Sequence, residues 1–233
     1  MRNSDRFLAS FHRIEKYLER IRKNPGHMSF KSAVQHAQKY DPVVRKYQDD
    51  LFEFADLRNA IVHDSINPSY AIAEPHDSTV VHIEKIEKEL IQPETVIPKF
   101  KREVYTFSIH DRAKDVLHYV HHNGFTKFPV YEGESFAGLL TENGIAHWLA
   151  HAAENNLKNL FHQTIDNILV YEKVKVNYKF ISKHTTVYEA EDIFKNQIQN
   201  GKKLNALLIS EDGKPSRELL GIITHWDIIH IMD

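Results

Sequence analysis

Thr224 and Asp227 stand three residues apart where an apolar run, Gly221-Ile222-Ile223, gives way to His225 and Trp226 before the chain turns apolar again. A carboxylate only accepts hydrogen bonds, and its two oxygens can take two vicinal hydroxyls at once. In the first turn of a helix, free backbone N–H groups and the helix dipole favour negative charge, a bound phosphate included, and Thr224 suits the N-cap. Two readings stand side by side: a polar pair facing a ligand, or a capping pair that closes a helix end.

A second constellation lies in "FADLRNAIVHDSI", where Arg58, Asn59 and His63 share the end of a predicted helix. Histidine serves as general acid or base, and arginine holds a scissile phosphate and its transition-state charge. The same residues also suit a helix end that anchors the following loop. Sixteen histidines invite a metal reading, with His147 and His151 spaced i, i+4 and His118 and His121 spaced i, i+3. Neither pair sits in an H-E-x-x-H pattern or beside an obvious acidic third ligand, so they read as surface or satisfied histidines and no metal site is expected.

The 233 residues suit one large domain or two small ones. Hydrophobic residues at 42% and charged residues at 27% are ordinary for a globular protein. A formal net charge of -2 supplies no global basic field for nucleic acid. With no cysteine there is no disulfide, no thiolate metal site and no thiol nucleophile. No apolar stretch approaches the ~18–20 residues that span a bilayer, and the N-terminus lacks a signal-peptide core. The expectation is a cytoplasmic protein with no membrane contact, and without a helix-turn-helix pattern no DNA partner is expected.

Residues 1–91 carry helical periodicity. Phe7, Phe11, Ile14, Leu18 and Ile21 form one stripe, and Ser29 caps a short helix with Phe30, Ala33, Val34 and Ala37. Asp41-Pro42 opens a long helix with Val44, Tyr47, Leu51, Phe54 and Ile61 inward. A turn-rich loop at 64–78 leads to a fourth helix from about Thr79 to Leu90. The pattern predicts an α+β protein that begins with a four-helix bundle. The segment 92–100 holds two prolines and reads as a linker. The order β-α-β-β-α then occurs twice, over 101–157 and 158–233, and "FPVYEGESFAGLLTENGIAHWL" and "ALLISEDGKPSRELLGIITHWDIIHIM" share one plan.

That doubled order, with a glycine-led strand followed by Thr and an acidic position, resembles a tandem pair of CBS domains, the Bateman module, packed about a pseudo-twofold axis. The resemblance implies that Asp227 takes the ribose hydroxyls of an adenosine ligand while Thr224 reaches ribose or phosphate. Each cleft of such a pair draws on both repeats, which adds Tyr105, Thr126 and Lys127, sets Ile222 against the base, and makes Lys202 and Lys203 candidates for phosphate, beside their plain reading as solvated lysines. The first repeat reads Thr141-Glu142-Asn143-Gly144, with glycine where the aspartate belongs, so one competent and one degenerate cleft are expected. The implied ligand is AMP, ADP, ATP or cyclic di-AMP, acting as regulator rather than cofactor.

The helical half resembles the HEPN superfamily, whose Arg-polar-x-x-x-His signature would be Arg58, Asn59 and His63. The implied alternative function is a metal-independent ribonuclease gated by the nucleotide site, with RNA as substrate. Both resemblances imply a homodimer. The two hypotheses are a nucleotide-sensing regulatory protein without catalysis of its own, and that ribonuclease.

Overall fold

The computed structural model describes residues 2–22, 26, 28–63 and 74–229, apart from the side chains of His63 and Ile229. It divides into two compact units, Met1–Glu94 and Thr95–Asp233.

In the first unit α1 (Asn3–Ile21) buries Phe7, Phe11, Ile14 and Leu18 along its predicted stripe, while Ile21 stays partly exposed. Each such burial contributes about 1.5–3 kcal/mol. Ser29 caps α2 (Phe30–Ala37) by accepting from the Ser32 amide. Asp41 caps α3 (Pro42–Lys46), its Oδ1 accepting from Val43 N at 2.9 Å and Val44 N at 3.0 Å. The predicted single long helix breaks at Tyr47, which leaves helical geometry (φ -106°, ψ 21°), and resumes as α4 (Gln48–His63). The Tyr47 hydroxyl donates to Glu89 at 2.7 Å. The described residues of this unit therefore hold five helical segments where four were expected. The last, α5 (Asp77–Ile91), buries Val80, Ile83, Ile86 and Leu90 and pairs with α1 through Arg6–Glu84 and Arg13–Glu87. The loop expected at 64–78 lies outside the described residues up to position 73.

The second unit opens with α6 (Val96–Lys99). Val96 and Phe100, read from sequence as linker, are buried in the core of the second repeat beside Ile209 and Ile223. A Cβ at Gly221 would collide with the Phe100 carbonyl oxygen, so glycine is what lets this segment lie against the strand. In the first repeat β1 (Phe107–Ser108) runs parallel to β2 (Lys127–Glu132), which pairs antiparallel with β3 (Ser135–Thr141). Helix α7 (Ala113–Asn123) joins β1 to β2 and ends at Gly124 in the left-handed region (φ 69°); α8 (Glu142–Glu154) follows β3. The second repeat has the same pattern: β4 (Tyr178–Ser182) parallel to β5 (Ala206–Ser210), and β5 antiparallel to β6 (Leu219–Ile223). Its helices are α10 (Val187–Gln199) and α11, described over His225–Ile229; the rest of the predicted last helix lies outside the described residues.

Between the repeats the sequence shows no periodicity, yet a 3₁₀ turn (Leu160–His162) and α9 (Ile165–Leu169) form there. Ile165 and Ile168 are buried in the core of the first repeat, although the sequence boundary at 157 puts them in the second. The sheets pack through Leu139, Ala206 and Leu208, with Phe136 against Tyr178 and Phe180.

Candidate functional site

Strand β6 delivers Ile222 and Thr224 to one end of the second repeat, and the first turn of α11 delivers Asp227. Asp227 Oδ2 accepts from the Thr224 amide at 2.6 Å and the Thr224 hydroxyl at 2.7 Å. This is one half of a capping box, with an extra hydroxyl donor. The capping role read from sequence is therefore present, and it uses one carboxylate oxygen. A third donor, Arg102 Nη2, reaches the same oxygen at 3.1 Å. The other oxygen, Oδ1, has no hydrogen-bond partner among the described residues. Burial pushes the Asp227 carboxyl up, but Thr224 and the Arg102 guanidinium outweigh it and hold the group below its ordinary value of 3.8.

A cleft of about 620 Å³ opens in front of this carboxylate. Six residues singled out from the sequence line it together: Tyr105, Thr126, Lys127, Ile222, Thr224 and Asp227. Lys203 does not line it; it is exposed in the stretch between α10 and β5. Tyr105 stacks on Tyr119 with ring centroids 3.7 Å apart, and Tyr119 stacks on Phe125 at 6.2 Å. Trp226 stands on the same rim, 71% exposed. The cleft thus has an aromatic wall, two carboxylates, Glu103 and Asp227, and two cations, Arg102 and Lys127. Lys127 Nζ lies 3.4 Å from Glu142. Next to the cleft, burial and then the Lys127 charge push His225 below its ordinary value of 6.5.

Sequence reasoning missed Arg102, Tyr119, Phe125 and Trp226 as lining residues. Arg102 sits in the basic run "KFKRE", and its place follows from a tertiary contact, the donation of its amide to Leu220 O at 3.2 Å beside β6. Tyr119 and Phe125 flank the helix stop at Gly124, and the sequence pattern does not single them out.

The matched place in the first repeat is filled. Thr141 donates from its amide (2.6 Å) and hydroxyl (2.8 Å) to Glu172 Oε1, nearly the geometry of Thr224 with Asp227. Glu172 comes from the end of the α9 segment, and Gly144 stands where an aspartate would otherwise project. A Cβ at Gly144 would meet Glu172 Cδ at 2.8 Å. Asn177 Nδ2 completes the closure, donating to Glu172 Oε2 at 3.2 Å and Leu139 O at 3.4 Å. Burial pushes the Glu172 carboxyl above its ordinary value of 4.5, against the hydrogen bonds from Thr141 and Gly144. Glycine at 144 alone reads as a lost site; the structure shows the missing carboxylate supplied from elsewhere in the chain.

In the helical unit, Arg58 Nη1 lies 3.2 Å from Asn59 Oδ1, and both line a groove of about 300 Å³ with Lys31 and Glu15. The side chain of His63 lies outside the described residues. Among the described residues no three His, Cys, Asp or Glu side chains gather as a metal site, and no helix is long and apolar enough to cross a membrane.

Residues 172–233 match the family model of the CBS domain. No curated protein matches the chain. Among solved structures, a CBS-domain-containing protein from Agrobacterium tumefaciens is 16% identical, with 57% of this chain and 86% of that chain covered and a TM-score of 0.41. CBSX2 in complex with AMP is 14% identical, with coverages of 60% and 96% and a TM-score of 0.42. A CBS domain pair in complex with 5′-methylthioadenosine and S-adenosyl-L-methionine is 15% identical, with coverages of 60% and 96% and a TM-score of 0.42.

Proposed function

We propose that the cleft of the second unit binds an adenine nucleotide and that its occupancy regulates the helical unit or a partner protein. The observation that carries the reading is Asp227, with one oxygen committed to Thr224 and Arg102, lining an aromatic-walled cleft. A vicinal diol donates to a carboxylate, a planar base packs on tyrosine and isoleucine, and guanidinium and ammonium groups meet phosphate. The CBS match over 172–233 supports adenosine as the nucleoside. The candidate regulators are AMP, ADP, ATP and cyclic di-AMP, and a homodimer is the proposed assembly.

A thermal-shift screen against AMP, ADP, ATP, S-adenosylmethionine, cyclic di-AMP and GTP tests it. A ligand that binds only the folded state raises Tm, by an amount set by RT ln(1 + [L]/Kd). The expected result is a rise with at least one adenine ligand that disappears in Asp227→Asn, a variant that keeps an acceptor for the Thr224 cap. No rise with any of them refutes the reading.

The ribonuclease reading is favoured by one feature, the groove that gathers Arg58, Asn59 and Lys31 on the helical unit. Its test is cleavage of single-stranded RNA with and without nucleotide. Loss of cleavage in Arg58→Ala and in His63→Ala would support it, and no cleavage by the wild type would end it.

A further inference from the structure

Arg102 makes two bonds in the cleft through one nitrogen, to the Ile222 carbonyl and to Asp227 Oδ2. Both acceptors line the cleft. The matched acceptors of the first repeat are the Leu139 carbonyl, two residues before Thr141 as Ile222 is two before Thr224, and the carboxylate of Glu172. They too are bridged by one nitrogen, Nδ2 of Asn177. In both repeats one nitrogen bridges a strand carbonyl and the carboxylate, but Arg102 shares Oδ2 with Thr224 whereas Asn177 takes Oε2, the oxygen that Thr141 leaves.

The donors differ in freedom. Asn177 is 1% exposed and Glu172 5%, so that closure is part of the core. The Arg102 side chain is 40% exposed, and its long stem can carry the guanidinium into water without opening a cavity. Lys127, the other cation of the cleft, bonds Glu142 rather than Asp227.

We propose that Arg102 is an internal stand-in for the ligand's donors and that its displacement makes the cleft selective for a phosphorylated nucleoside over a neutral one. This rests on the nucleotide reading of the cleft. A ligand whose vicinal hydroxyls take Asp227 Oδ2 as well as Oδ1 must first replace Arg102, because Oδ2 already accepts from Arg102 and twice from Thr224. Adenosine returns nothing to the released guanidinium, which goes to solvent. AMP carries a phosphate, and a planar guanidinium matches phosphate with paired charge-assisted bonds. Arg102 therefore opposes both ligands on entry and repays only the anionic one.

The test is isothermal titration of the full chain with AMP and with adenosine, for wild type, Arg102→Met and Arg102→Lys, with Tm checked for each. Methionine keeps the apolar stem and removes the competitor. The expected result is that Arg102→Met binds AMP more weakly and adenosine as well or better, so that the preference for AMP drops at least tenfold. Arg102→Lys, which keeps the charge, should retain a preference above that of Arg102→Met. If the preference in Arg102→Met stays within twofold of wild type while both ligands bind, the inference fails alone and the nucleotide cleft stands. If no form of the protein binds AMP or adenosine, the inference fails together with the nucleotide reading.

Discussion

Gly144→Asp would give the first repeat the aspartate that the second has at 227, and the structure predicts that the change is harmful alone and tolerated with a second substitution. The new side chain meets the Glu172 carboxylate, with Cδ only 2.8 Å from the added Cβ. Glu172 is held by two donors from Thr141 and one from Asn177 in a buried place, so it yields only by giving up those bonds. Two carboxylates would also compete for one set of donors. Giving up hydrogen bonds from neutral donors to a buried carboxylate costs about 3 kcal/mol, at the upper end of the range for a bond to a charged group. Glu172→Ala alone strands buried Thr141 and Asn177 donors, each worth about 1–3 kcal/mol, offset by relief of the desolvated carboxylate, for a net of about 2 kcal/mol. In the double variant, Gly144→Asp with Glu172→Ala, the introduced carboxylate can accept from Thr141 as Asp227 does from Thr224 at 2.6 and 2.7 Å. It should be more stable than Gly144→Asp by about 2 kcal/mol, or roughly 6 °C in Tm for a unit of this size. Urea unfolding followed by fluorescence of the buried Trp148 reads all four proteins, and the double-mutant cycle isolates the coupling. Gly144→Asp within about 0.5 kcal/mol of wild type, near the usual limit for a neutral surface change, would refute the account of Glu172. A double variant no better than the worse single would refute it too.

Glu172 and Asp227 should give opposite pH signatures in urea titrations. The folded pKa of Glu172 is raised, so its contribution is fully present below 4.5 and is lost as pH rises through the folded value. Wild type should lose stability relative to Glu172→Gln over that interval; a flat difference would contradict the burial of the charge. The folded pKa of Asp227 is lowered, so its contribution is present above 3.8 and is lost as pH falls through the folded value, and the gap between wild type and Asp227→Asn should close there. Asp41→Ala removes the acceptor for Val43 N, Val44 N and the Tyr17 hydroxyl, and should cost about 2 kcal/mol by denaturant unfolding, against no measurable change if the cap is idle. Gly221→Ala should unfold at lower temperature because its methyl meets the Phe100 backbone, and an unchanged Tm would mean that the segment at Phe100 moves freely off β6.

Legibility followed the range of the interaction. Local signals were readable: the stripe of α1, the Asp41-Pro42 start of α3, the glycine stop after α7, and the strand-to-helix seam at Thr224. The doubled β-α-β-β-α order was readable because two copies of one pattern reinforce each other. The break at Tyr47, whose hydroxyl reaches Glu89 across the first unit, was not. Nor was α9, a single turn-and-a-half whose stability comes from burying Ile165 and Ile168 rather than from periodicity. At the cleft, six residues read from the repeat plan line it and Lys203 does not, while Tyr119, Phe125 and Trp226, inside the same repeats, were missed with Arg102. Arg102 comes from the stretch between α6 and β1, and Glu172 from the matching stretch after α9, since Thr95 bridges to Thr186 as Thr164 does to Arg112. The sequence shows a glycine at 144 but not what occupies the space it leaves.

The central claim is that the cleft at Asp227 binds one nucleotide while Glu172 takes the matched carboxylate position of the first repeat. Isothermal titration calorimetry with AMP measures it most directly through stoichiometry. The account predicts one AMP per chain and at least a tenfold loss of affinity in Asp227→Asn. Two AMP per chain, or affinity undiminished in Asp227→Asn, would contradict it.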